Sequence, residues 1–188
     1  MASVGIGLWG RNGHQLDAAA LRGLPARLVG GYDCPAENPF DSAEALLRAP
    51  EVDLVSICAP VRAGQGALIR AALGAGKHVL AEKPCVMDER ELDALHALAR
   101  ERGLLFYEMG CPLYDAPYNA ARAAIAGGRI GEVVQVFAQK SYPYAAWRPQ
   151  DEAVDGGLLL QNAVYGLRFV LQIAGRQVVA TQAMETRA

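Results

Sequence analysis

A cluster of glycines follows the first apolar run of the chain, in the stretch Gly7-Leu8-Trp9-Gly10-Arg11-Asn12-Gly13. Glycines spaced in this way between a strand and a helix let the backbone turn tightly and approach the pyrophosphate of a dinucleotide. Gly10 and Gly13 take the second and third positions of that fingerprint, and Leu8 stands at the first, unless Gly7 takes that role one residue early. The stretch predicts a dinucleotide site at Trp9, Gly10, Arg11, Asn12 and Gly13. A glycine-rich turn without a ligand is the alternative.

An acidic residue, Asp33, follows the second strand-like run and lies 20 residues beyond Gly13. An acid at this spacing hydrogen-bonds the ribose 2′-hydroxyl of NAD and repels the 2′-phosphate of NADP. No arginine follows closely, since the chain continues Cys34-Pro35-Ala36-Glu37. Asp33 therefore favours NAD over NADP as the cofactor. The alternative is a solvated aspartate in a turn.

The elements that must position these residues alternate between apolar runs and helical patterns. The runs predicted as strands are Val4–Trp9, Arg27–Tyr32, Asp53–Cys58, Lys77–Ala81 and Leu104–Tyr107. The patterns predicted as helices are Asn12–Leu24, Ser42–Arg48, Gln65–Ala75 and a segment that opens with the capping box Asp88-x-x-Glu91 and ends at Gly103. Strands that alternate with helices form a parallel sheet. Residues 1–112 are therefore predicted to be an α/β dinucleotide-binding domain, a Rossmann-type doubly wound parallel sheet.

Residues 113–188 carry a different pattern, which predicts a partial α+β domain. Its predicted elements are the helices Ala116–Ala126 and Leu158–Ala174, the strands Glu132–Ser141 and Gln177–Glu185, and the loop Tyr142–Asp155. Two strands alone make a marginal sheet, and an open strand edge invites pairing. We expect this truncated substrate and oligomerisation domain to pack on the first domain, to be completed by another chain, or to be a piece of a larger domain. A homo-oligomer or a completing second chain is thus an expected partner.

Composition narrows the classes of partner and compartment. The chain has 188 residues, with 18 Lys and Arg against 20 Asp and Glu, so its net charge of −2 argues against nucleic acid. No apolar run is long enough to span a membrane, and the first residues lack the charged start of a signal peptide. Four cysteines without a CxxC pair and three histidines without a common spacing predict no metal site and no disulfide framework. The predicted location is cytoplasmic.

The stretch Gly76-Lys77-His78-Val79-Leu80-Ala81-Glu82-Lys83-Pro84 resembles a motif of the glucose–fructose oxidoreductase/inositol dehydrogenase (Gfo/Idh/MocA) family, Gly-Lys-His-Val followed by Glu-Lys-Pro. The segments 53–60 and 127–134 resemble further family stretches in the family's order, so the resemblance covers essentially the whole chain. The chain is identified as a shortened member. The resemblance implies an NAD(P)-dependent oxidoreductase that transfers hydride between nicotinamide and a sugar, cyclitol or related polyol.

The resemblance also implies roles for the residues of the Glu-Lys-Pro motif. Lys83 takes the position of the lysine that reaches the substrate hydroxyl beside the nicotinamide, where it would orient an alcohol or share its proton. The Lys83–Pro84 peptide is expected to be cis, as it often is in the family. Ala59, Pro60, Glu82 and Lys83 are predicted to contact the cofactor. An exposed loop lysine is the alternative for Lys83.

A second family motif, Gly-Gly-x-Leu-x-Asp-x-Gly-x-His, corresponds to residues 156–165. Gln161 stands in place of the acid and Tyr165 in place of the histidine, four residues apart on a predicted helix face. The glucose–fructose oxidoreductase branch is similar, with a tyrosine there and an upstream Trp-Arg pair, which Trp147-Arg148 matches. The resemblance implies that Tyr165 and Lys83 form an acid–base pair, since a cation favours the phenolate. Gln161 and Tyr165 would contact substrate, and Trp147 and Arg148 the cofactor.

Two other functions stay open at this point. Leu8 in the glycine stretch, Gln161 in place of an acid and the incomplete second domain motivate a non-catalytic cofactor-binding member or one subunit of a split oxidoreductase. A structural or interaction module unrelated to the family is the third reading. If the chain is an enzyme, it should form NADH by itself when substrate is present. A cofactor-binding member or subunit should bind the dinucleotide without turnover, and an unrelated module should bind no dinucleotide.

Overall fold

The computed structural model describes residues 3–110, 115–141, 149 and 151–184. Among these, residues 3–110, 149 and 151–161 form one compact unit, here the N-terminal unit. Residues 115–141 and 162–184 form a second, the C-terminal unit. Within the described ranges, no helix is long and apolar enough to cross a membrane.

A five-stranded parallel sheet with the order β2-β1-β3-β4-β5 organises the N-terminal unit. Its strands are β1 (Val4–Gly10), β2 (Ala26–Tyr32), β3 (Leu54–Cys58), β4 (His78–Ala81) and β5 (Phe106–Glu108). The chain moves from β1 to β2 on one side and from β3 to β5 on the other, so the topological switch point lies between β1 and β3. This order confirms the predicted Rossmann-type parallel sheet. The prediction succeeded because strands buried on both faces appear in the sequence as continuous apolar runs.

Three helices pack on this sheet, and their starts follow from capping side chains. They are α1 (Ala43–Arg48), α2 (Gln65–Gly74) and α3 (Glu89–Glu101). The side chain of Asp88 accepts the N–H of Glu91 at 3.1 Å, which confirms the predicted helix start there. Each helix places leucines in the core, since Leu46, Leu73 and Leu95 are fully buried. Each such side chain contributes about 1.5–3 kcal/mol.

The predicted helix Asn12–Leu24 is wrong, because this segment forms turns instead. The side chain of Gln15 donates to the carbonyls of Gly10 (2.8 Å) and Ser56 (3.1 Å), and its own oxygen accepts the N–H of Leu16. Asp17 accepts the N–H of Ala20 at 2.8 Å. Side-chain hydrogen bonds of this kind compete with a helical ladder. The segment is therefore held against the sheet without forming an α-helix.

The C-terminal unit contains α4 (Ala116–Ala126) and α6 (Val164–Ala174), which lie where helices are predicted. The rings of Tyr118 and Phe169 meet edge to face at 5.7 Å and join the two helices. The second predicted helix is corrected in its interior rather than at its start, because residues 157–158 are helical, Leu159–Ala163 is a π-helical turn and α6 follows. The predicted loop is also corrected near its end, where α5 (Glu152–Asp155) forms a short helix in the N-terminal unit.

The two strands predicted for the second domain do not form within the described residues. Residues 132–141 and 177–184 carry no strand ladder, and Glu185 lies outside the described residues. Arg176, which directly precedes the second segment, donates to the carboxylate of Glu132 in the first at 3.2 Å. A strand exists only where its N–H and C=O groups pair with a neighbour. In the first segment Val134 and Phe137 stay exposed, at 91% and 81%.

Candidate functional site

The loops that follow β1, β3 and β4 meet at the carboxyl edge of the sheet. The N–H of Asn12 donates to the carbonyl of Cys58 at 3.1 Å, and its side-chain amide donates to the carbonyl of Pro60 at 2.8 Å. Ala59 lies between these two acceptors and is buried. Ligands of open parallel sheets bind at this edge, at the switch point. The structure thus brings the predicted glycine turn together with Ala59 and Pro60.

The glycine turn has the tight geometry that a dinucleotide requires. Gly10 and Gly13 have φ of 76° and 123°. A Cβ on Gly10 would collide with the carbonyl of Cys58, and one on Gly13 with the carboxylate of Glu82. Leu8 lies in the core of β1, 5% exposed, so the turn begins at Gly10 and Leu8 leaves it undisturbed. These residues fit a cofactor whose pyrophosphate needs close approach to the backbone.

Residues 12–24, at the end of the glycine turn and beyond it, form no helix. Positive charge near this turn therefore comes from side chains. The helix N-terminus that commonly faces a pyrophosphate is therefore not formed there. Arg11 is exposed on the turn itself, and Arg62 is buried behind it. An anionic cofactor at this edge would depend on these side chains rather than on a helix dipole.

Glu82, which is 1% exposed, links the glycine turn to the turn after β4. Its carboxylate accepts the N–H of His14, the His14 Nδ1 atom lies 2.8 Å away, and the N–H of Lys83 donates at 2.9 Å. Burial, and secondly the negative charge of Glu82, raises the pKa of the Cys58 thiol to about 12. A buried carboxylate with these donors holds two loops in one arrangement.

Lys83, at the end of β4, is 4% exposed. Its Nζ donates to the main-chain carbonyl of Gln161 at 2.9 Å and also to the side-chain oxygen of Gln161. The amide of Gln161 donates back to the carbonyl of Lys83 at 3.3 Å. The expected cis peptide between Lys83 and Pro84 is confirmed. The structure therefore brings together two predicted site residues that lie 78 positions apart.

The glycine pair of the second motif explains how Gln161 reaches this place. Gly156 has φ of 87°, and a Cβ there would lie 2.8 Å from the ring of Pro84. The chain therefore needs glycine to pass against the Lys83–Pro84 turn. The π-helical turn that contains Gln161 follows directly. Such turns occur often at functional sites.

The remaining predicted residues belong to other elements or lie outside the described residues. Trp9 is buried, and its ring packs edge-on against Tyr32. Asp33 follows β2, is exposed and has φ of 54°. Tyr165 belongs to α6 of the C-terminal unit, where the Nζ of Lys140 lies 5.3 Å from its ring centroid. The acid–base pairing of Tyr165 with Lys83 stays a prediction. Trp147 and Arg148 lie outside the described residues.

Two buried polar residues of the edge were missed by the sequence analysis. Arg62 lies in the short 3-10 helix Arg62–Gly64, and Gln65 opens α2. Both side chains hydrogen-bond to the loops after β3 and β4. The sequence offers one indication of their role, which is their position. They follow Pro60 by two and five residues, in a segment that must cross the carboxyl edge of the sheet.

Two family models together match most of the chain. Residues 8–109 match the oxidoreductase family with an NAD-binding Rossmann fold, and residues 118–188 match the GFO/IDH/MocA C-terminal domain. The first match includes the end of β1 from Leu8 onward, the other four strands and the turns at the carboxyl edge of the sheet.

Individual relatives agree with these matches. A dTDP-3,4-didehydro-2,6-dideoxy-alpha-D-glucose 3-reductase of Streptomyces violaceoruber is 36% identical over 78% of this chain and 42% of its own length. A mutant 3-ketoreductase of Actinomadura kijaniata in complex with TDP-benzene and NADP is 27% identical, with a TM-score of 0.56 over 69% of this chain and 46% of that one. A scyllo-inositol dehydrogenase of Lactobacillus casei with NAD(H) and scyllo-inositol shares the fold, with 20% identity and a TM-score of 0.74 over 92% of this chain and 56% of that one. The chain spans about two fifths to one half of the length of the curated relatives it matches.

Proposed function

Because the chain belongs to the Gfo/Idh/MocA oxidoreductase family, we propose that it acts in hydride transfer between the nicotinamide of NAD(P) and a sugar, cyclitol or related polyol. One observation carries the proposal. The motif lysine, Lys83, is buried at the carboxyl edge of the sheet, beside the glycine turn, and its Nζ is held by Gln161. The 3-reductase relative, named for a nucleotide-linked sugar, supports a substrate of this class.

The cofactor would lie across the switch point, on the turn from Gly10 to Gly13 and against Ala59 and Pro60. When bound, the nicotinamide supplies the site that accepts or donates hydride. The protein contributes binding and orientation: the glycines let the pyrophosphate approach the backbone, and Glu82 keeps the turn in place.

Lys83 would hold the reacting hydroxyl and its proton. A cation that donates to an alcohol oxygen stabilises the charge that develops there as hydride leaves the carbon. Gln161 orients the lysine through its carbonyl and its side-chain oxygen, and its amide offers a further donor to a polyol. Tyr165 is proposed as the partner that exchanges the proton with solvent.

NAD is proposed as the preferred form of the cofactor because Asp33 follows β2. The charges of Asp33 and Arg11 both act on the Cys34 thiol: burial and then Asp33 raise its pKa, and Arg11 lowers it. Arg11 and Asp33 thus act with opposite charges in the same region, and we expect Arg11 to offset part of the repulsion that Asp33 exerts on a 2′-phosphate. NADP should bind more weakly without being excluded.

Titration of the purified chain with NADH and with NADPH tests the cofactor proposal. The fluorescence of Trp9 and Trp147 and of the nicotinamide reports binding. We expect NADH to bind more tightly than NADPH. D33N should reduce the ratio of the two dissociation constants by about tenfold, which is the effect of removing one repulsive charge pair at the surface. R11Q is the matched variant. It should increase the preference for NADH over NADPH, because it removes the cation that offsets Asp33. Tighter binding of NADPH by the wild type would reverse the assignment of Asp33, and binding of neither would refute the proposed function.

A second candidate function is a cofactor-binding subunit that needs another chain for turnover. The C-terminal unit favours it through a set of exposed apolar side chains, namely Val134, Phe137, Val178, Val179 and Met184. Val179 and Met184 are 95% and 90% exposed. We propose that a second copy or a completing chain covers residues 132–141 and 177–184.

The cysteines without a CxxC pair suit a reducing cytosol, which we propose as the compartment.

Sedimentation velocity over a range of protein concentrations measures this association. We expect self-association that F137D weakens, since Phe137 is 81% exposed and a carboxylate opposes its burial in an interface. L24D, at an exposed leucine of the N-terminal unit, is the control and should leave the association unchanged. A wild-type chain that stays monomeric and soluble at high concentration would rule out the second copy, and turnover by that monomer would rule out the subunit function.

A further inference from the structure

Arg62 is a buried cation that binds three backbone carbonyls at once. Its side chain is 2% exposed. Its Nε donates to the carbonyl of Lys83 at 3.2 Å, and its two terminal nitrogens donate to the carbonyls of Ala59 and Asn12. These acceptors belong to the turns after β4, β3 and β1. One guanidinium therefore joins all three loops of the switch-point edge.

A guanidinium in this place needs compensation, because burial disfavours the charged form. Burial lowers the pKa of Arg62, whereas the negative charge of Glu82 acts in the opposite direction. Glu82 is buried under the same turn, where its carboxylate accepts the N–H of His14. Arg62 and Glu82 thus offset each other behind the glycine turn. Without Arg62, the negative charge of the Glu82 carboxylate would repel an anionic ligand of that turn more strongly.

We propose that Arg62 is a positioning residue for the diphosphate half of the dinucleotide. It fixes the turn after β1 relative to the turns after β3 and β4, and it cancels the negative charge beneath the place where a diphosphate would lie. The inference rests on the proposed function, since it presumes that the turn binds a dinucleotide. Its physical basis is that residues 12–24 form no helix, so the helix dipole that commonly follows β1 does not supply positive potential at the turn.

Gln65 provides a matched control within the same segment. Its side chain is also buried, and its oxygen accepts the N–H of Ala59 at 3.0 Å. Its amide nitrogen donates to the carbonyls of Glu82 (2.7 Å), Pro84 (3.1 Å) and Cys85 (3.3 Å). Gln65 therefore joins the loops after β3 and β4, as Arg62 does, but it neither reaches the turn after β1 nor carries a charge.

The experiment compares R62M, R62K and Q65M in the full chain. Calorimetry measures the dissociation constants of ADP and of NADH, and thermal unfolding measures stability. R62M and Q65M should both lower the melting temperature, because each leaves buried backbone groups without a partner. R62M should also weaken ADP and NADH, by about tenfold or more, the size expected for a charged hydrogen-bonding group, and by more than Q65M does. R62K keeps the positive charge but loses the planar guanidinium that donates to three carbonyls at once. Its affinity for ADP and NADH should therefore lie between those of R62M and the wild type.

ADP is the decisive probe, since it carries the diphosphate and lacks the nicotinamide. Wild-type affinity for ADP in R62M, or a parallel loss of affinity in Q65M, would overturn the proposal in favour of a purely structural role. Where R62M does not fold, R62K decides, and unchanged ADP affinity in a folded R62K would overturn it equally. A wild-type chain that binds neither ADP nor NADH would refute the proposed function itself, and the inference with it.

Discussion

K83M is expected to lose nearly all turnover while it binds NADH with close to wild-type affinity. A positioned side chain that holds or transfers a proton contributes about 10²–10⁴-fold to a rate, and methionine keeps the volume of the lysine stem without the ammonium group. The Nζ of Lys83 is directed at Gln161, and the glycine turn is held by Glu82, so the diphosphate half of the site should stay intact. Steady-state rates with a panel of sugars and polyols, together with fluorescence titration of NADH, measure both effects.

K77M is the matched control for this loss. The Nζ of Lys77 likewise donates to two oxygens, here the main-chain carbonyls of Ala49 (2.9 Å) and Val52 (2.8 Å), but Lys77 precedes β4 and lies at its opposite end. K77M should lower the melting temperature and leave turnover unchanged. Full activity in K83M, or equal losses of activity in K83M and K77M, would refute the role of Lys83.

G13A is expected to abolish measurable NADH binding. Gly13 has φ of 123°, a conformation that side chains avoid at a cost of about 1–3 kcal/mol. A Cβ there would also collide with the buried carboxylate of Glu82, so the turn would have to move away from β4. Because a dinucleotide needs close approach to this backbone, the displacement should act on binding as well as on stability. Titration with NADH and thermal unfolding of the same preparation separate the two losses.

G23A separates backbone strain from the collision. Gly23 also has a positive φ, 80°, but a Cβ there would meet nothing within 4 Å. G23A should therefore show the loss of stability that a positive φ causes, with NADH affinity close to that of the wild type. If G13A and G23A bind NADH equally well, the glycine turn does not hold the cofactor in the way we propose.

The amino-acid sequence by itself determined the elements whose signals are local. Continuous apolar runs placed the five strands within one or two residues, and their alternation with helices implied the parallel order. The capping side chains of Ser42 and Asp88 determined where α1 and α3 begin, because a cap satisfies backbone groups only a few residues away. The motif around Lys83 identified the edge of the sheet that carries the site.

Tertiary structure alone decided the features in which a segment depends on distant partners. Residues 12–24 have a helical pattern, but the bonds of Gln15 to Gly10 and Ser56 override it. The contact between Lys83 and Gln161 joins residues 78 positions apart, and the three acceptors of Arg62 come from three separate loops. Residues 132–141 have a strand pattern, yet a ladder requires a neighbour that no local signal supplies. Propensity acts over a few residues, whereas hydrogen-bond partners and burial are set by the whole fold.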